Sequence, residues 1–590
     1  MDFRKYNRSL LFRACILSLL LAIPATAQDF KRYKPQTFQG QPSSETDLSK
    51  PKAEAASKAS DEVLVQSLDA IIVLDHKNKV DTENAREDLV GVHYDFACSD
   101  SVVFNARSSS VLNSFIGQPI TMRRLNKLSR DLLKVYEDCG QPITDVAIPE
   151  QKVTGGTVQI VVTESRIGQI QICGTCYTDE CLLCGKIICS RPGERIYERR
   201  LQEDLYWLNR SPFRRIDVDL KPGAVPGTSD LVFQVDEVRP VRAYLGYDDT
   251  GVDNLRLERL LTGVVLGDPF GYDGTLGYQL TGDPEFDRLT AHAASYSVDL
   301  HRMLTLQTFG SWAAADPMLP APLTQNGESW QAGIQLNRFL HRTSKCERSL
   351  SIGFDFKSTN NNLEFGGVNV QSSSADLIQL NLGYDYFRRF QNNDFVRWSN
   401  DLNIGPGDGF TSNHNAAAFN LIRAETDPTY LYFRSVLETR QALPKCMELT
   451  SRFVGQLASE RLLFSEMLGF GGYDTIRGYD QRSFNGDSGW IASLELGPQP
   501  KRFGCQNQPH TLKLYTFGEA GQAFVDEALV GELDDEILAS IGIGARYSIA
   551  NKLTMRVDYG WALNDITDGS ENGRLHLGVI TFFGPSPATR

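Results

Sequence analysis

Between Arg239 and Phe583 the chain is written as short runs that alternate apolar and polar residues, separated by clusters of Gly, Asp, Asn and Pro. A period of two is the mark of strands. In Leu553–Trp561, one strand face collects Leu553, Met555, Val557, Tyr559 and Trp561, and the other collects Thr554, Arg556, Asp558 and Gly560. An apolar, aromatic-ended face outside and Arg and Asp inside invert the pattern of a soluble barrel, and suit a strand placed between lipid and a wet lumen. No stretch reaches the roughly 18–20 uninterrupted apolar residues that a spanning helix needs. Any membrane must therefore be entered by strands, and strands in lipid must close on themselves to satisfy their backbone groups. About 345 residues, at roughly 20–22 per tilted strand with its share of loop, predict a barrel of about 16 antiparallel strands over 238–590 with no helix. Arg574–Phe583 repeats the alternation and ends on an aromatic, with seven residues after it.

The N-terminus sets the compartment. Arg4, Lys5, Arg8 and Arg13 precede the apolar run Ala14–Ile23 and the small-residue site Ala25-Thr26-Ala27, which is the pattern of a secretory signal peptide over residues 1–27. With 41% hydrophobic residues the chain is too polar for a helical membrane protein. Its net charge of −13 offers no basic excess to neutralise phosphates, so a nucleic-acid partner is excluded. Residues 28–65 hold Pro35, Pro42 and Pro51 and then the Ala/Lys/Glu/Ser-rich run Lys52–Ser60. A periplasmic linker with one weak helix and a plug helix both stand open there.

From 66 to 237 the pattern is mixed α/β, in two tandem modules, 66–165 and 166–237. In the first, Asp69–Leu74 predicts a strand, and Thr121 caps a helix with Leu125, Leu128, Leu132 and Tyr136 on one face. Strands follow at Asp145–Ile148 and Thr157–Val162. The second repeats the theme with a strand at Ile167–Cys173, a helix at Glu198–Leu208 that turns Leu201, Leu205 and Leu208 inward, and strands at Arg215–Leu220 and Asp230–Val235.

Within the barrel region, Gly469-Phe470-Gly471-Gly472-Tyr473-Asp474-Thr475-Ile476-Arg477-Gly478-Tyr479-Asp480 sets one Arg among four glycines. So permissive a backbone brings a guanidinium to a defined place only if something holds it. Cys173, Cys176, Cys181, Cys184 and Cys189 crowd into the second module. Zinc or iron–sulfur ligation is conceivable from the paired Cys-x2-Cys spacing, but the gap is shorter than a zinc ribbon's and export favours disulfides, with the odd cysteine paired to Cys98 or Cys139. Counting strands from the Arg477 loop puts Cys446 and Cys505 on one side of the barrel. The sequence holds neither a phosphate-binding Gly-rich loop ending in Lys-Ser/Thr nor a His-Glu metalloprotease pattern. Ser295 lies in a strand-like run rather than a nucleophile elbow. No catalytic centre, nucleotide, metal or other cofactor is expected.

Several segments in order carry a family resemblance: Gly117-Gln118-Pro119-Ile120-Thr121, Tyr136 and Ile148-Pro149-Glu150-Gln151 through Gly156 in the first module, Trp207–Arg214 and Gly227–Leu231 in the second, then Asp248-Asp249-Thr250-Gly251 and Asp268-Pro269-Phe270-Gly271. They resemble the two-partner secretion transporters, the haemolysin and filamentous haemagglutinin secretion-activation family of the outer-membrane insertase superfamily. The resemblance implies two polypeptide-transport-associated (POTRA) modules in the periplasm, 66–165 and 166–237, before an outer-membrane barrel bathed in lipid. It implies capture of an unfolded exoprotein, by addition of an extended segment to a POTRA sheet edge, and export without nucleotide. It also implies that the loop 465–490 folds into the barrel, where Arg477, Gly478 and Tyr479 meet an acidic residue of an aromatic-x-Asp-x-Gly motif. Here that motif reads Phe517-Gly518-Glu519-Ala520-Gly521, with Glu for Asp. An insertase for outer-membrane proteins shares fold and loop, but more usually has a longer receptor arm. A barrel enzyme needs a catalytic cluster at the rim, and a passive porin has no use for the modules.

Overall fold

The structure, a computed structural model, describes residues 34–36, 62–82, 89–97, 99–153, 155–319, 321, 323–343, 345–365, 368–390, 392, 394–505, 508–566 and 573–585. The signal-peptide stretch and most of the linker lie outside the described residues. The chain forms two compact units, one built on 40–210 with 214–237 and the other on 238–590 with 211–213 and the segment up to Gln39.

The first unit holds both α/β modules. In the first module β1 (Val63–Val65) pairs with β4 (Ile120–Thr121), and β2 (Ala70–Leu74), β3 (Gly91–Asp95), β5 (Thr144–Ala147) and β6 (Thr157–Glu164) make a sheet in the order β3-β2-β6-β5. Central β2 is parallel to both neighbours and buried along its whole length, so it reads as a continuous apolar run. Two helices cover the sheet, α1 (Ala106–Asn113) and α2 (Met122–Asp138). The Thr121 hydroxyl accepts the Arg124 N–H at 3.2 Å and caps α2. Leu125, Leu128, Leu132 and Tyr136 enter the core, each stabilising it by about 1.5–3 kcal/mol. In the second module β7 (Arg166–Cys173), β8 (Arg214–Pro222) and β9 (Thr228–Glu237) form a sheet ordered β7-β9-β8, with β7 parallel and β8 antiparallel to β9. Helices α3 (Glu180–Lys186) and α4 (Glu198–Leu208) accompany it, and Leu201, Leu205 and Leu208 of α4 pack on Ile216, Leu231 and Phe233.

The second unit is a closed antiparallel barrel. Its strands are β10 (Val241–Asp248), β11 (Arg259–Gly267), β12 (Thr275–Gly282), β13 (Leu289–His301), β14 (Leu304–Ala315), β15 (Leu323–Arg342), β16 (Cys346–Phe365), β17 (Val368–Arg389), β18 (Phe395–Pro406), β19 (Thr429–Leu443) and β20 (Met447–Ala458). The inner ribbon β21 (Leu468–Phe470) and β22 (Phe484–Gly486) interrupts the series. It resumes with β23 (Ser488–Pro498), β24 (Lys501–Cys505), β25 (Gln508–Phe524), β26 (Asp535–Ile549), β27 (Leu553–Ala562) and β28 (Arg574–Phe583). Because β23 and β24 pair with successive stretches of β25, they form one stave and the barrel has 16. It closes where Ala243–Asp248 of β10 pair with Gly578–Phe583 of β28.

The faces alternate as the sequence predicts. On β16, Leu350, Ile352 and Phe354 are 47, 50 and 43% exposed, whereas Ser349 and Ser351 are 7 and 8% exposed. Rows of exposed large apolar side chains are stable against lipid, with the polar set turned to the lumen. On β27, Met555, Val557 and Trp561 face outward and Asp558 and Gly560 inward. One expectation is corrected: the barrel region contains a helix, α5 (Ala416–Ile422), in the loop between β18 and β19. Asn415 caps it by accepting the Ala418 N–H at 2.9 Å, and its seven residues are too few to set up a legible helical period. Alternating strand direction puts Cys346, Cys446 and Cys505 on the rim where β10 begins, and the Arg477 loop and α5 on the opposite, far rim.

Candidate functional site

The loop 459–487 leaves β20 at the far rim and turns down into the lumen, narrowed by the β21–β22 ribbon. Gly478 sits at φ 103°, a left-handed conformation open to glycine. A Cβ on Gly478 would lie 3.1 Å from the Gly560 backbone, and one on Gly560 would lie 2.6 Å from the Arg477 carbonyl carbon. The loop tip and β27 thus touch backbone to backbone, which fixes where Arg477 starts.

From there Arg477 reaches three carboxylates. Its backbone N–H donates to Glu519 Oε2 at 2.6 Å, and its Nε and Nη2 donate to Glu519 Oε1 at 2.9 and 2.5 Å. Nη1 donates to Glu495 Oε1 at 3.1 Å and Asp558 Oδ1 at 3.0 Å. The guanidinium lies 3.7 Å from the Phe517 ring centre, within cation–π range. Each charge has other partners. Glu495 meets Arg546 at 2.9 Å and Lys513 at 3.3 Å, Asp558 accepts the Tyr515 hydroxyl at 2.5 Å, and Glu519 accepts that of Ser493 at 2.9 Å. Three cations and three carboxylates from the loop, β23, β25, β26 and β27 form one neutral cluster, which Lys513 extends to Glu448 on β20 at 3.2 Å. Arg477, Glu495, Glu519 and Asp558 are all under 10% exposed.

Apolar contacts complete the seat. Phe470, Ile476 and Tyr479 pack with Ile491, Ala523 and Leu538, and a Cβ on Gly521 would meet Ile476 and Phe470 at 3.1 Å. The motif Phe517-x-Glu519-x-Gly521 therefore supplies a ring under the guanidinium, a carboxylate for it and a gap for its neighbours. The Tyr479 hydroxyl lies 2.8 Å from the Ala539 carbonyl and accepts the Asn564 N–H at 3.1 Å. Sequence reasoning brought Arg477, Gly478, Tyr479 and Glu519 together. It missed Glu495, Arg546 and Lys513, and it placed Asp558 on the inner face without a partner. Their signal is a charge at a lumen-facing position between apolar neighbours, as in Leu494-Glu495-Leu496.

The segment 34–36 also lies in the lumen: the Gln36 N–H donates to the Tyr244 hydroxyl at 3.1 Å, and Pro35 lies where a Cβ on Gly277 would approach to 2.7 Å. The five cysteines of the second module carry free sulfurs in the structure, so the expected disulfides are not among its bonds. No group of side chains able to hold a metal ion occurs among the described residues. Carboxylates hold this segment at both ends. Glu237 accepts the N–H groups of Cys176, Tyr177 and Thr178 at 2.7, 2.6 and 3.3 Å, and buried Asp204 accepts those of Ile188, Cys189 and Ser190 at 3.1, 3.0 and 2.8 Å. Burial works against the Glu237 charge, but the Thr178 side chain and these N–H donors outweigh it and hold the carboxyl below its ordinary range.

Residues 227–547 match the family described as haemolysin secretion/activation protein ShlB/FhaC/HecB. Residues 94–165 match the ShlB-type POTRA domain. The chain is similar to the heme/hemopexin transporter protein HuxB of Haemophilus influenzae (strain 86-028NP), with 19% identity over 486 residues that cover 80% of this chain and 83% of HuxB. Among solved structures it resembles CdiB from Escherichia coli, with a TM-score of 0.66 at 15% identity over 92% of this chain and 94% of that one. BamA from Haemophilus ducreyi lacking POTRA domains 1–3 gives 0.52 at 14% identity over 85% of this chain and all of that one.

Proposed function

The chain belongs to the haemolysin secretion/activation family of ShlB, FhaC and HecB, and from that premise we propose how its lumen handles a polypeptide. It is an outer-membrane transporter of two-partner secretion, a translocation pore for an exoprotein, with its POTRA modules in the periplasm. The family consists of transporters rather than enzymes.

The exoprotein arrives unfolded and adds an extended segment to a POTRA sheet edge. On β7 the first part of the edge is covered, since the Ile167 N–H donates to the Glu194 carbonyl and the Ile167 carbonyl accepts the Gly193 N–H. On β8 the Asn209 side chain takes both the N–H and the carbonyl of Ile216. Beyond Ile216 the outer side of β8 pairs with no other strand among the described residues, and the cargo docks there. The cargo then threads the lumen, with lipid around the barrel and no nucleotide, and folding outside draws it through. Arg477, Gly478, Tyr479 and Glu519 act as the latch that keeps the inward loop seated while the pore is idle. The observation that carries this reading is the Arg477 cluster, a charged contact between the inward loop and the barrel wall in the middle of the path.

Deleting the gene and comparing secreted with periplasmic proteins tests the function. One large protein trapped in the periplasm is the expected result, and broad loss of outer-membrane barrels would instead mark an assembly insertase. The disulfides remain part of the proposal for the cysteine segment: Cys173, Cys176, Cys181, Cys184 and Cys189 oxidise in the periplasm, the odd one with Cys98 or Cys139. Intact-mass thiol counting on the exported protein checks this, and a full complement of free thiols would sink it.

A further inference from the structure

The inward loop is tied down twice. Its tip is held at β23–β27 by Arg477, and its two ends are held at the far rim by a separate buried group that the latch does not use. Asp487 closes the loop just before β23 and is fully buried. Its Oδ1 accepts Arg423 Nη1 at 2.5 Å and its Oδ2 accepts Arg423 Nη2 at 2.9 Å, a fork-to-fork pair. The same carboxylate accepts the Leu462 N–H at 2.8 Å and the Asp526 N–H at 3.0 Å. Arg423 follows α5, Leu462 begins the inward loop and Asp526 belongs to the loop between β25 and β26, so one carboxylate joins three far-rim loops. Arg461 ties the same three a second time, donating to the carbonyls of Ala424, Asp526 and Glu527 at 3.1, 2.9 and 3.0 Å and to Glu532 at 3.0 Å.

Beneath this polar knot lies an apolar floor. Phe419 of α5 packs with Leu462, Leu463 and Met467 of the inward loop and with Tyr430 and Tyr432 of β19. Glu466, in the same stretch, reaches Lys357 on β16 at 2.6 Å and the Tyr432 hydroxyl at 2.8 Å. The far mouth is thus roofed from β16 and β19 across to β23 and β25, and a chain leaving the lumen meets that roof whatever the state of Arg477.

We propose that the Arg423–Asp487 pair is an exit clasp, which closes the far mouth in the idle transporter and opens for the exoprotein to leave. It rests on the translocation-pore reading above. The clasp is the weaker of the two ties. The rim holds two ion pairs, Arg423–Asp487 and Arg461–Glu532, and the loop carrying Arg423 bears only the seven-residue α5, whereas the Arg477 cluster joins six charges to four staves. An exiting chain is rich in the groups that compete for the clasp, because backbone carbonyls can take the guanidinium and N–H groups can take the carboxylate.

The test is ion conductance of the full-length protein in planar bilayers, which needs no cargo and so can fail independently of the secretion assay. Removing one partner of a buried pair shifts the closed-to-open ratio by about a hundredfold, so Arg423→Ala and Asp487→Asn are expected to raise open-channel occupancy strongly, and Arg423→Lys less. Phe410→Ala, an exposed change on the same loop, is expected to leave conductance as it was. Heat-modifiable migration on gels establishes that each barrel has closed, and Arg423→Lys is read in place of Arg423→Ala should the latter fail to insert. Wild-type conductance in inserted Asp487→Asn and Arg423 variants would overturn the proposal, as would an equal rise in Phe410→Ala.

Discussion

Replacing Arg477 tests the latch most directly, because the structure says which carboxylates suffer. In Arg477→Ala, Glu495 still has Arg546 and Lys513, and Asp558 still has the Tyr515 hydroxyl. Glu519 keeps only the Ser493 hydroxyl and the backbone N–H at position 477, so both it and Asp558, which met Arg477 as their cation, become buried charges without one. Stranding a charge in this way costs about 3–5 kcal/mol. At about 1.4 kcal/mol per tenfold, the released-loop population then rises by about a hundredfold to several thousandfold. Glu519→Gln is milder, since Arg477 retains Glu495 and Asp558. The double variant Arg477→Ala/Glu519→Gln removes one of the two stranded charges, and a coupling of about 2–3 kcal/mol between the two sites is expected. Native-state proteolysis of the full-length protein reads this, because cleavage within 469–480 tracks the released population when reclosing is fast. Equal and strictly additive effects of the two single changes would refute the pairing logic. Unaltered cleavage, together with unaltered export in Arg477→Ala, would refute the latch itself.

Glu519→Asp shortens the reach by one methylene. It cannot meet both the backbone N–H and the guanidinium of Arg477, and loop cleavage is expected to rise by about tenfold, equivalent to about 1.4 kcal/mol. Gly560→Ala sets a methyl 2.6 Å from the Arg477 carbonyl carbon, so the tip must back away. A destabilisation of about 1–3 kcal/mol is expected by the same proteolysis, whereas Gly518→Ala, with nothing within 4 Å, leaves cleavage unchanged. The Glu237 carboxyl is held below its ordinary 4.5. Its stabilisation of the cysteine segment is therefore complete above about pH 4.5 and lost as pH falls through the lowered value. Hydrogen exchange at Cys176–Thr178, corrected for intrinsic rates, is expected to quicken below pH 4.5 in the native chain and to lack that step in Glu237→Gln.

What the sequence discloses depends on whether a residue's role repeats locally. The lipid-facing strand at Leu553–Trp561 and the α2 stripe of Leu125, Leu128, Leu132 and Tyr136 are periodic, and both stand in the structure as read. Helix α1 escapes because Ala106–Asn113 turns only Ser108 and Leu112 inward, which leaves no apolar stripe to count. Helix α5 escapes through its length. Arg477 and Glu519 are brought together by a motif resemblance. Arg423 and Asp487 are 64 residues apart in loops with no period, so nothing in the order of residues points from one to the other. Glu495 is legible as a charge on an inward face, but its neighbours are set by barrel closure and register, which alternation alone does not supply.

The two ties also explain why a protein pore would be closed by ions. An apolar plug gains its stability by excluding water and has no cause to leave when a polar chain arrives. A buried ion pair is held because water is absent: its attraction is large in a dry site and collapses once solvent enters, by roughly the ratio of dielectric constants. Arg477 and Arg423 each sit where the neighbouring groups that would hydrate them on release are lumen-facing polar side chains, such as Ser493 and Gln456. A hydrated polypeptide reaching either site brings carbonyls, N–H groups and water together, lowering the cost of separating the charges at the moment separation is needed. Replacing Arg423 and Asp487 together by Met and Asn removes both charges, strands no guanidinium and keeps an acceptor for one of the Leu462 and Asp526 N–H groups, and so predicts a roof closer to shut than in either single variant that no longer yields: low idle conductance with the exoprotein stalled in the periplasm. Native export by that double variant would show that ionic character is not what lets the mouth open.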